Sequence, residues 1–234
     1  METICLFVIA TAGYTAFAQK LIPSARKHLT PGYDRHFLVL TDSPSQLLAT
    51  GVEGDVTCRP VTHLPWPAMT LRRYHILLAN ADFLCKFDHV YYCDADCLFQ
   101  NDVDLAELGR LTAVIHAGYK GRHRRALPYE KRPASAACIG PHEGGVYFCG
   151  GFQGGMTASY LAAATQMAVA IDKDQSQGIT AIWHDESHWN RYLIDNPPST
   201  VLSPLFCWPE QCLPHDDARI LALVKNHHEV RNAV

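Results

Sequence analysis

The chain alternates short apolar runs with longer amphipathic segments. Residues 4–11 (ICLFVIAT) and 36–40 (HFLVL) are almost wholly apolar, which is typical of strands buried on both faces of a parallel sheet. Residues 14–29 between them have the length of a helix, and Pro31 with Gly32 ends it. This order predicts a βαβ unit with a right-handed crossover. We expect residues 4–11 to form a central strand.

The alternation continues through the first half of the chain. Thr70 is a candidate cap for a helix that places Leu71, Tyr74, Leu78 and Ala81 on one face. The further predicted elements are an irregular segment at 51–67, strands at 90–93, 113–116, 144–155 and 201–206, and helices near 157–171 and 185–194. Alternating strands and helices predict an α/β fold.

Composition narrows the class of protein. The 234 residues are 48% hydrophobic and 18% charged, so low hydrophobicity with high charge, the mark of disorder, is excluded. The net charge of −3 gives no basic footprint for nucleic acid. No apolar run approaches the roughly 18 residues of a membrane span, and the start lacks signal-peptide features. Nine Cys without a CxxC pair predict free thiols. We therefore expect a cytoplasmic protein.

Two carboxylates follow the apolar run at 90–93. In an extended chain alternate side chains share a face, so Asp94 and Asp96 would project together where that strand ends. Open α/β sheets bind ligands at this edge. Carboxylate pairs suit manganese or magnesium and leave positions open for substrate phosphates. The alternative is an Asp-rich turn or helix cap without a metal.

Residues 183–188 (WHDESH) concentrate three ionisable residue types. His184 and His188 would lie one helical turn apart, but a zinc-protease motif needs Glu directly after the first His, and Asp185 stands there. That class is excluded. An acidic first turn favoured by the helix dipole is the alternative explanation of Asp185 and Glu186.

Three other segments allow two interpretations each. The glycine pairs at 150–151 and 154–155 have neither P-loop nor GxGxxG spacing and indicate a close approach or a bulge. The basic stretch at 118–140 is either a solvated loop or a mobile loop over an anionic ligand. The cations of residues 225–231 are either solvated tail charges or a clamp on phosphate.

Taken together, the motifs resemble one family. They are YEKRP at 129–133, YFCGGFQGG at 147–155, IWHDESH at 182–188 with Asn190 and Tyr192, VLSP at 201–204 and KNHHEVRN at 225–232. In this order and spacing the chain is similar to glycosyltransferase family 6, the retaining α-1,3-galactosyl and N-acetylgalactosaminyl transferases that include the blood-group A and B enzymes. Without the anchor and stem of the animal members, it resembles the soluble microbial ones. Several of those carry Asn in place of both Asp and need no metal, whereas this chain keeps Asp94 and Asp96.

The resemblance implies a GT-A fold, a Rossmann-like mixed sheet flanked by helices, in a single catalytic domain over residues 1–234. Residues 1–117 would mainly bind the nucleotide sugar, and residues 118–234 would mainly bind the acceptor and carry catalysis, with a C-terminal lid. The expected partners are a UDP-sugar donor and a galactoside acceptor. The expected cofactor is Mn²⁺, with Mg²⁺ as the alternative. Transfer to the 3-hydroxyl of a β-galactoside would retain the α configuration.

The resemblance also assigns residues by matching position. The uridine pocket would be lined by Ile9, Ala10, Thr11 and Tyr14. Metal and diphosphate would lie at Asp94, Ala95 and Asp96, with Lys225 and Arg231 closing over them as the tail orders. Further donor contacts would come from Arg73, Cys149, Gly150, Gly151, His184 and Asp185. The acceptor would face His116, Trp183, Glu186 and Trp208.

Within this resemblance Glu186 would lie beneath the anomeric carbon, either as a covalent nucleophile or as an electrostatic stabiliser. The small residues at 149–151 imply GalNAc rather than Gal as the donor sugar. Pro128 and Pro209 depart from the family pattern near the acceptor, which leaves the acceptor open. The competing functions are a UDP-sugar hydrolase and a non-catalytic sugar-binding module. The module would be expected to lack Glu186 or the acidic pair.

Overall fold

The computed structural model describes residues 2–48 and 54–232. The strands are β1 (Thr3–Ile9), β2 (Asp34–Thr41), β3 (Val56–Pro60), β4 (His89–Cys93), β5 (Cys97–Phe99), β6 (Leu111–Ile115), β7 (Phe148–Met156), β8 (Thr200–Leu202), β9 (Trp208–Pro209) and β10 (Ile220–Ala222). The helices are α1 (Tyr14–His28), α2 (Pro44–Leu48), α3 (Ala68–Leu71), α4 (Arg73–Leu78), α5 (Ala81–Leu84), α6 (Thr157–Ser176), α7 (His184–Asp195) and α8 (His227–Asn232). Within the two described ranges, every helix is too short or too polar to cross a membrane.

Seven strands form the main sheet in the order β3-β2-β1-β4-β7-β6-β8. The first four are parallel neighbours, β7 is antiparallel to both β4 and β6, and β8 is parallel to β6. The predicted unit β1-α1-β2 is present, with β1 inside the sheet. The small sheet β5-β10-β9 brings the C-terminal part of the chain beside the residues that follow β4. This mixed α/β architecture is the expected GT-A type.

Helices cover both faces of the sheet because β1 is apolar on both. Alternate β1 residues such as Leu6 and Val8 pack with α1, where Leu21 and Ile22 are buried. The other β1 set, which includes Phe7, packs in a second core that contains Tyr74 of α4 and residues of α6 and α7. Two cores on opposite faces explain why the strand sequence shows no polar alternation.

The predicted helix at Thr70 is wrong in its boundaries. The chain forms three short helices, and Thr70 lies inside α3 rather than at a cap. The first break is at Arg72, whose ψ of 3° is outside the helical range. Because α4 restarts at Arg73, the buried position shifts from the expected Leu78 to Leu77.

Two other predicted segments also differ. The stretch 51–67, expected to be irregular, contains the edge strand β3; residues 51–53 lie outside the described part. The strand expected at 201–206 is limited to β8. Pro204 then opens a 3₁₀ turn, since Pro lacks the N–H that a strand needs, and the Ser203 side chain accepts a hydrogen bond from the Leu205 N–H.

The glycine pairs of β7 have the close approaches predicted for them. A Cβ on Gly154 would lie 2.3 Å from the Val90 carbonyl oxygen, and one on Gly155 would lie 2.1 Å from that of Arg110. The pairing with β6 then jumps, because Ala113 faces Gln153 but the next residue, Val114, faces Cys149. Residues 150–152 therefore leave the β6 ladder in a bulge, and their backbone groups are available to the site.

Candidate active site

A cleft of about 220 Å³ opens at the carboxyl ends of β1 and β4. Its lining residues come from β1, α1, the segment before α4, the end of β4 and the C-terminal tail: Ile9, Thr11, Tyr14, His63, Leu64, Trp66, Met69, Thr70, Arg73, Tyr92, Asp94, Ala95, Asp96, Lys225 and Arg231. The structure thus brings together most of the predicted donor residues. Ala10 is fully buried behind this wall.

The two carboxylates predicted to hold a metal both line this cleft. One Asp94 oxygen accepts hydrogen bonds from the Tyr92 hydroxyl at 2.6 Å and from Arg73 at 3.1 Å. The Asp96 carboxylate is in contact with the Lys225 ammonium. Burial and the neighbouring Asp94 raise the pKa of Asp96, and Lys225 opposes that shift.

The donor set suits a hard divalent cation. The Lys225 ammonium pairs with Asp96, which shows that this position favours a positive charge. In residues 2–48 and 54–232 no group of three or more His, Cys, Asp or Glu is arranged as a metal site. Two carboxylates alone suit a cation that completes its shell with substrate phosphates and water.

Buried Arg73 connects the cleft to helix α7. Its guanidinium donates to the Gly150 carbonyl at 2.7 Å and lies 3.1 Å from both Asp94 and Asp185. It also stacks over the Tyr92 ring at 3.9 Å. Burial opposes the charged form, but Asp185 and the other acidic neighbours hold the pKa of Arg73 above its usual value.

Glu186 is positioned by β7 rather than by the cleft wall itself. Its carboxylate accepts hydrogen bonds from the Tyr147 hydroxyl at 2.7 Å and from the Gly150 N–H at 2.8 Å. Burial raises the pKa of Glu186 to about 7, and the two hydrogen bonds limit the rise. Burial likewise raises the pKa of Asp185 to about 6, against the lowering effect of Arg73.

Asn190 and His184 fix the start of α7. The Asn190 amide donates to the backbone carbonyls of Phe148 and Glu186 and accepts from the Phe148 N–H. It therefore ties one turn of α7 to β7. His184 has a φ of 51°, a conformation that non-glycine residues seldom adopt. Such strain is concentrated at functional sites, and here it directly precedes the two acidic residues.

The C-terminal tail lies over the cleft opening. The Val230 carbonyl accepts a hydrogen bond of 3.1 Å from the Gly13 N–H. The Arg231 guanidinium stacks over Trp66 at 4.3 Å, and the Lys225 ammonium lies 5.3 Å from the Tyr14 ring. Both predicted clamp residues therefore reach the cleft, Arg231 from α8 and Lys225 from the segment before it.

The predicted acceptor residues are less closely grouped. The His116 ring packs against Tyr147 at 5.8 Å, and the Tyr147 hydroxyl binds Glu186. Trp183 is 46% exposed immediately before α7. Trp208 follows a 3₁₀ turn that contacts residues 117–119, and its indole donates to the Leu213 carbonyl. Cys149 is buried, Gly150 is bonded to Arg73 and Glu186, and the Gly151 carbonyl accepts a hydrogen bond of 2.9 Å from the Asp94 N–H.

Several residues that shape the site were not predicted from the sequence to have a role in it. Tyr92 had a usable signal, because it lies two residues before Asp94 and so shares its face of an extended chain. Tyr147 was part of a quoted motif but received no role. His63 and Trp66 belong to a stretch expected to be irregular, and no pattern distinguished them.

The sequence of the chain is similar to that of known glycosyltransferases. The profile of glycosyltransferase family 6 matches residues 1–232. Histo-blood group ABO system transferase 1 of Rattus norvegicus is 32% identical over 241 residues, covering 98% of this chain and 69% of the relative. Globoside alpha-1,3-N-acetylgalactosaminyltransferase 1 of Homo sapiens is 32% identical over 214 residues, covering 89% and 62%.

A bacterial relative matches along most of both chains. O-antigen biosynthesis glycosyltransferase WbnI of Escherichia coli is 29% identical over 218 residues, 92% of each. The chain therefore spans about two thirds of the length of these animal relatives and nearly all of the bacterial one. With the profile matched from the first strand to the tail, the chain belongs to glycosyltransferase family 6.

Proposed function

We propose that the protein transfers GalNAc from UDP-GalNAc to the 3-hydroxyl of a β-galactoside, with retention of the α configuration and with a divalent cation. The observation that carries this proposal is the set of contacts made by Arg73. Its guanidinium lies against Asp94, which lines the cleft, and against Asp185. It also donates to the carbonyl of Gly150, whose N–H binds Glu186. Asp94, Asp185 and Glu186 are thus linked to one another through Arg73 and Gly150. The names of the relatives support a glycosyltransferase with α-1,3 linkage.

In this reaction the bond between the anomeric carbon and the diphosphate oxygen breaks, and a bond to the acceptor oxygen forms. Asp94 and Asp96 would hold manganese, which when bound supplies neutralisation of the charge growing on the diphosphate. Lys225 and Arg231 add positive charge from the tail. The electron pair of the broken bond stays on the leaving diphosphate oxygen, which takes up the proton that the acceptor hydroxyl loses as the new bond forms.

Glu186 would face the sugar ring from the side opposite the leaving group. As a carboxylate it stabilises positive charge at the anomeric carbon, whether or not it forms a covalent bond. Tyr147 and Gly150 orient both of its oxygens. A group held in place before the reaction stabilises transition-state charge without a cost of reorganisation.

The donor preference rests on the absence of side chains at Gly150 and Gly151, which the family resemblance matches to the residues that approach the C2 substituent of the donor sugar. The structure adds a complication, because a Cβ on Gly151 would lie 2.9 Å from Cys207 Sγ and 3.3 Å from an Asp94 oxygen. Gly151→Ala is therefore expected to slow both donors through Asp94. The ratio of their kcat/KM values should still shift toward UDP-Gal, because the loss through Asp94 is common to both.

A methyl-sized pocket is worth only about 1–3 kcal/mol, so some transfer of Gal is expected from the wild-type protein. Gly145→Ala is the matched control, since a Cβ there meets no atom within 4 Å. An unchanged donor ratio in Gly151→Ala would show that this glycine does not set the preference, as would a wild-type preference for UDP-Gal.

Release of UDP tests the function as a whole. UDP-GalNAc and UDP-Gal are each supplied with manganese, with and without fucosylated and unfucosylated galactosides, and the anomeric configuration of the product is read by NMR. Acceptor-dependent release with an α-linked product is expected. Equal release without acceptor would identify a hydrolase, and binding of UDP without release would identify a binding module.

Removing the chain after Val224 is expected to keep the fold but weaken UDP binding. Each lost charge-assisted hydrogen bond is worth about 1.5–3 kcal/mol, so UDP affinity should fall at least about tenfold. Trypsin should cut at Lys225 and Arg231 readily in the ligand-free protein and slowly with UDP and manganese, as for a lid ordered by ligand. Equal cutting rates, or UDP affinity retained after truncation, would contradict a clamp.

We also propose that residues 1–117 mainly serve the donor and residues 118–234 mainly serve the acceptor and catalysis. The first set supplies Asp94, Asp96 and Arg73, and the second supplies Glu186.

The nine thiols form no disulfide, which supports a reducing compartment such as the cytoplasm.

A further inference from the structure

Residues 119–132 form a cationic loop that follows His116, one of the proposed acceptor residues. The proposed reaction assigns this loop no role. The segment contains six Lys or Arg and one acid in a chain that carries 20 Lys or Arg against 23 Asp or Glu. Outside the segment the chain is therefore clearly acidic. Such a local reversal of sign is an electrostatic feature that attracts anions.

Two of the six cations have structural roles. Arg124 donates to the backbone carbonyls of Gly140 and Glu143. Arg132 forms an ion pair of 2.6 Å with buried Glu130. Burial raises the pKa of Glu130, but the hydrogen bonds from Arg132 outweigh it and lower that pKa to about 2. These contacts hold the loop in one conformation.

The other four cations are Lys120, Arg122, Arg125 and Lys131, which we call the cationic loop set. All four are exposed. Across the described residues, none of them forms an ion pair with a carboxylate. Like charges on one short segment that lack carboxylate partners repel one another, so a bound anion would stabilise this surface.

A chain of contacts through Tyr147 joins the loop to the Glu186 carboxylate. Glu186 binds the Tyr147 hydroxyl at 2.7 Å, and the Tyr147 ring packs against Tyr119 at 5.3 Å. The Arg122 guanidinium lies over the other ring of that pair, Tyr119, at 5.6 Å. An acceptor bound beside Glu186 and His116 would extend toward these cations with its remaining sugar or aglycone.

We propose that the acceptor is an anionic glycoconjugate, whose phosphate or carboxylate group, outside the reacting galactoside, binds the cationic loop set. The proposal rests on the proposed function, because it takes the acceptor to lie beside Glu186. A neutral galactoside has no charge to pair with four exposed cations. An anionic one gains charge-assisted hydrogen bonds and a faster encounter.

The test compares three acceptors that present the same β-galactoside. Lactose is neutral at its reducing end, lactose 1-phosphate carries a phosphate, and lactobionate carries a carboxylate. We expect kcat/KM to be at least about tenfold higher for one or both anions at low salt, and the advantage to shrink at high salt. The better anion identifies the chemical source of the charge.

Two matched variants decide the role of the loop. The quadruple variant Lys120→Gln, Arg122→Gln, Arg125→Gln and Lys131→Gln should lose the anion advantage while keeping its kcat/KM for lactose. The control removes the same charge from exposed lysines elsewhere, as Lys20→Gln, Lys27→Gln, Lys86→Gln and Lys173→Gln, and should keep the advantage. Binding of lactose 1-phosphate to the UDP complex, measured by calorimetry, should follow the same order.

Equal kcat/KM for all three acceptors, or an advantage that survives in the quadruple variant, would overturn the proposal. So would sedimentation with phosphatidylglycerol vesicles that needs the loop cations while the three acceptors behave alike, since the loop would then bind a membrane surface. Transfer to none of the acceptors despite UDP binding would instead count against the proposed function.

Discussion

Glu186→Gln is expected to lower the rate of transfer at least about a hundredfold while leaving UDP affinity nearly unchanged. The amide keeps the shape of the side chain and can still pair with the Tyr147 hydroxyl and the Gly150 N–H, so the site should stay in place. What is lost is the negative charge that the proposed function places beneath the anomeric carbon, where it would act mainly in the transition state. Single-turnover rates and UDP calorimetry measure the two effects separately.

The pH profile gives this prediction a second measurement. Because the pKa of Glu186 is about 7, the carboxylate is lost as pH falls through 7, and transfer should fall with it. Tyr147→Phe removes a hydrogen bond that lowers this pKa, so the acidic limb should move to higher pH. A profile that is flat between pH 5 and 9, or an equal loss of rate and UDP affinity in Glu186→Gln, would contradict the assignment.

Protein stability should depend on pH in the direction opposite to the transfer rate: it should fall, rather than rise, as Glu186 ionises. The folded pKa of Glu186 lies above the ordinary 4.5, so its stabilisation is complete below pH 4.5 and is lost as pH rises through 7. At pH 8 the folded protein holds a poorly solvated charge. Glu186→Gln should then be more stable than the wild type by about 1–3 kcal/mol at pH 8 and no more stable at pH 4. Urea unfolding at the two pH values measures this.

Chelation with EDTA is expected to abolish transfer, and manganese should restore it. Asp94→Asn and Asp96→Asn should each lower turnover at least about a hundredfold, since a bound divalent cation supplies about 3 kcal/mol or more of charge stabilisation. Calcium alone should serve poorly, because its larger and looser shell places the diphosphate less well. Initial rates across a manganese titration check each variant.

The matched control for the carboxylates is Asp82→Asn, an exposed residue of α5. It should keep full activity and full manganese dependence. Electron paramagnetic resonance of added manganese with UDP provides a binding readout that does not depend on turnover. Full activity in chelator, or manganese binding retained in the Asp94→Asn, Asp96→Asn double variant, would contradict the metal site.

The strands and long helices could be predicted because their signals are local. β1 is a single apolar run, and α1 ends at His28, three residues before Pro31 and Gly32. The helix at Thr70 could not be predicted correctly, since its break serves a tertiary contact: Arg73 turns inward to meet Asp94 and Asp185. Local periodicity carries no information about such a partner.

In the candidate site, too, residues with a local sequence signal could be predicted, whereas residues defined by tertiary contacts could not. The Asp94 and Asp96 pair could be inferred from strand alternation alone, and both residues line the cleft. Glu186 needed the resemblance to a family, because an acidic first turn explains the local pattern equally well. Its pairing with Tyr147 and with the bulged Gly150 joins residues 36 or more positions apart, a distance over which a single sequence gives no pattern.

Strand β7 follows β4 and β6 along the chain but lies between them in the sheet. A fragment ending at residue 117 would leave β4 and β6 with unpaired edges facing one another, and such edges promote aggregation. The two parts proposed to serve the donor and the acceptor can therefore not be exchanged independently of one another. Divergence in acceptor choice among relatives is expected to proceed through loop replacement, with segments such as 119–132 exchanged at their ends, because exchange of the whole C-terminal part would rebuild the middle of the sheet.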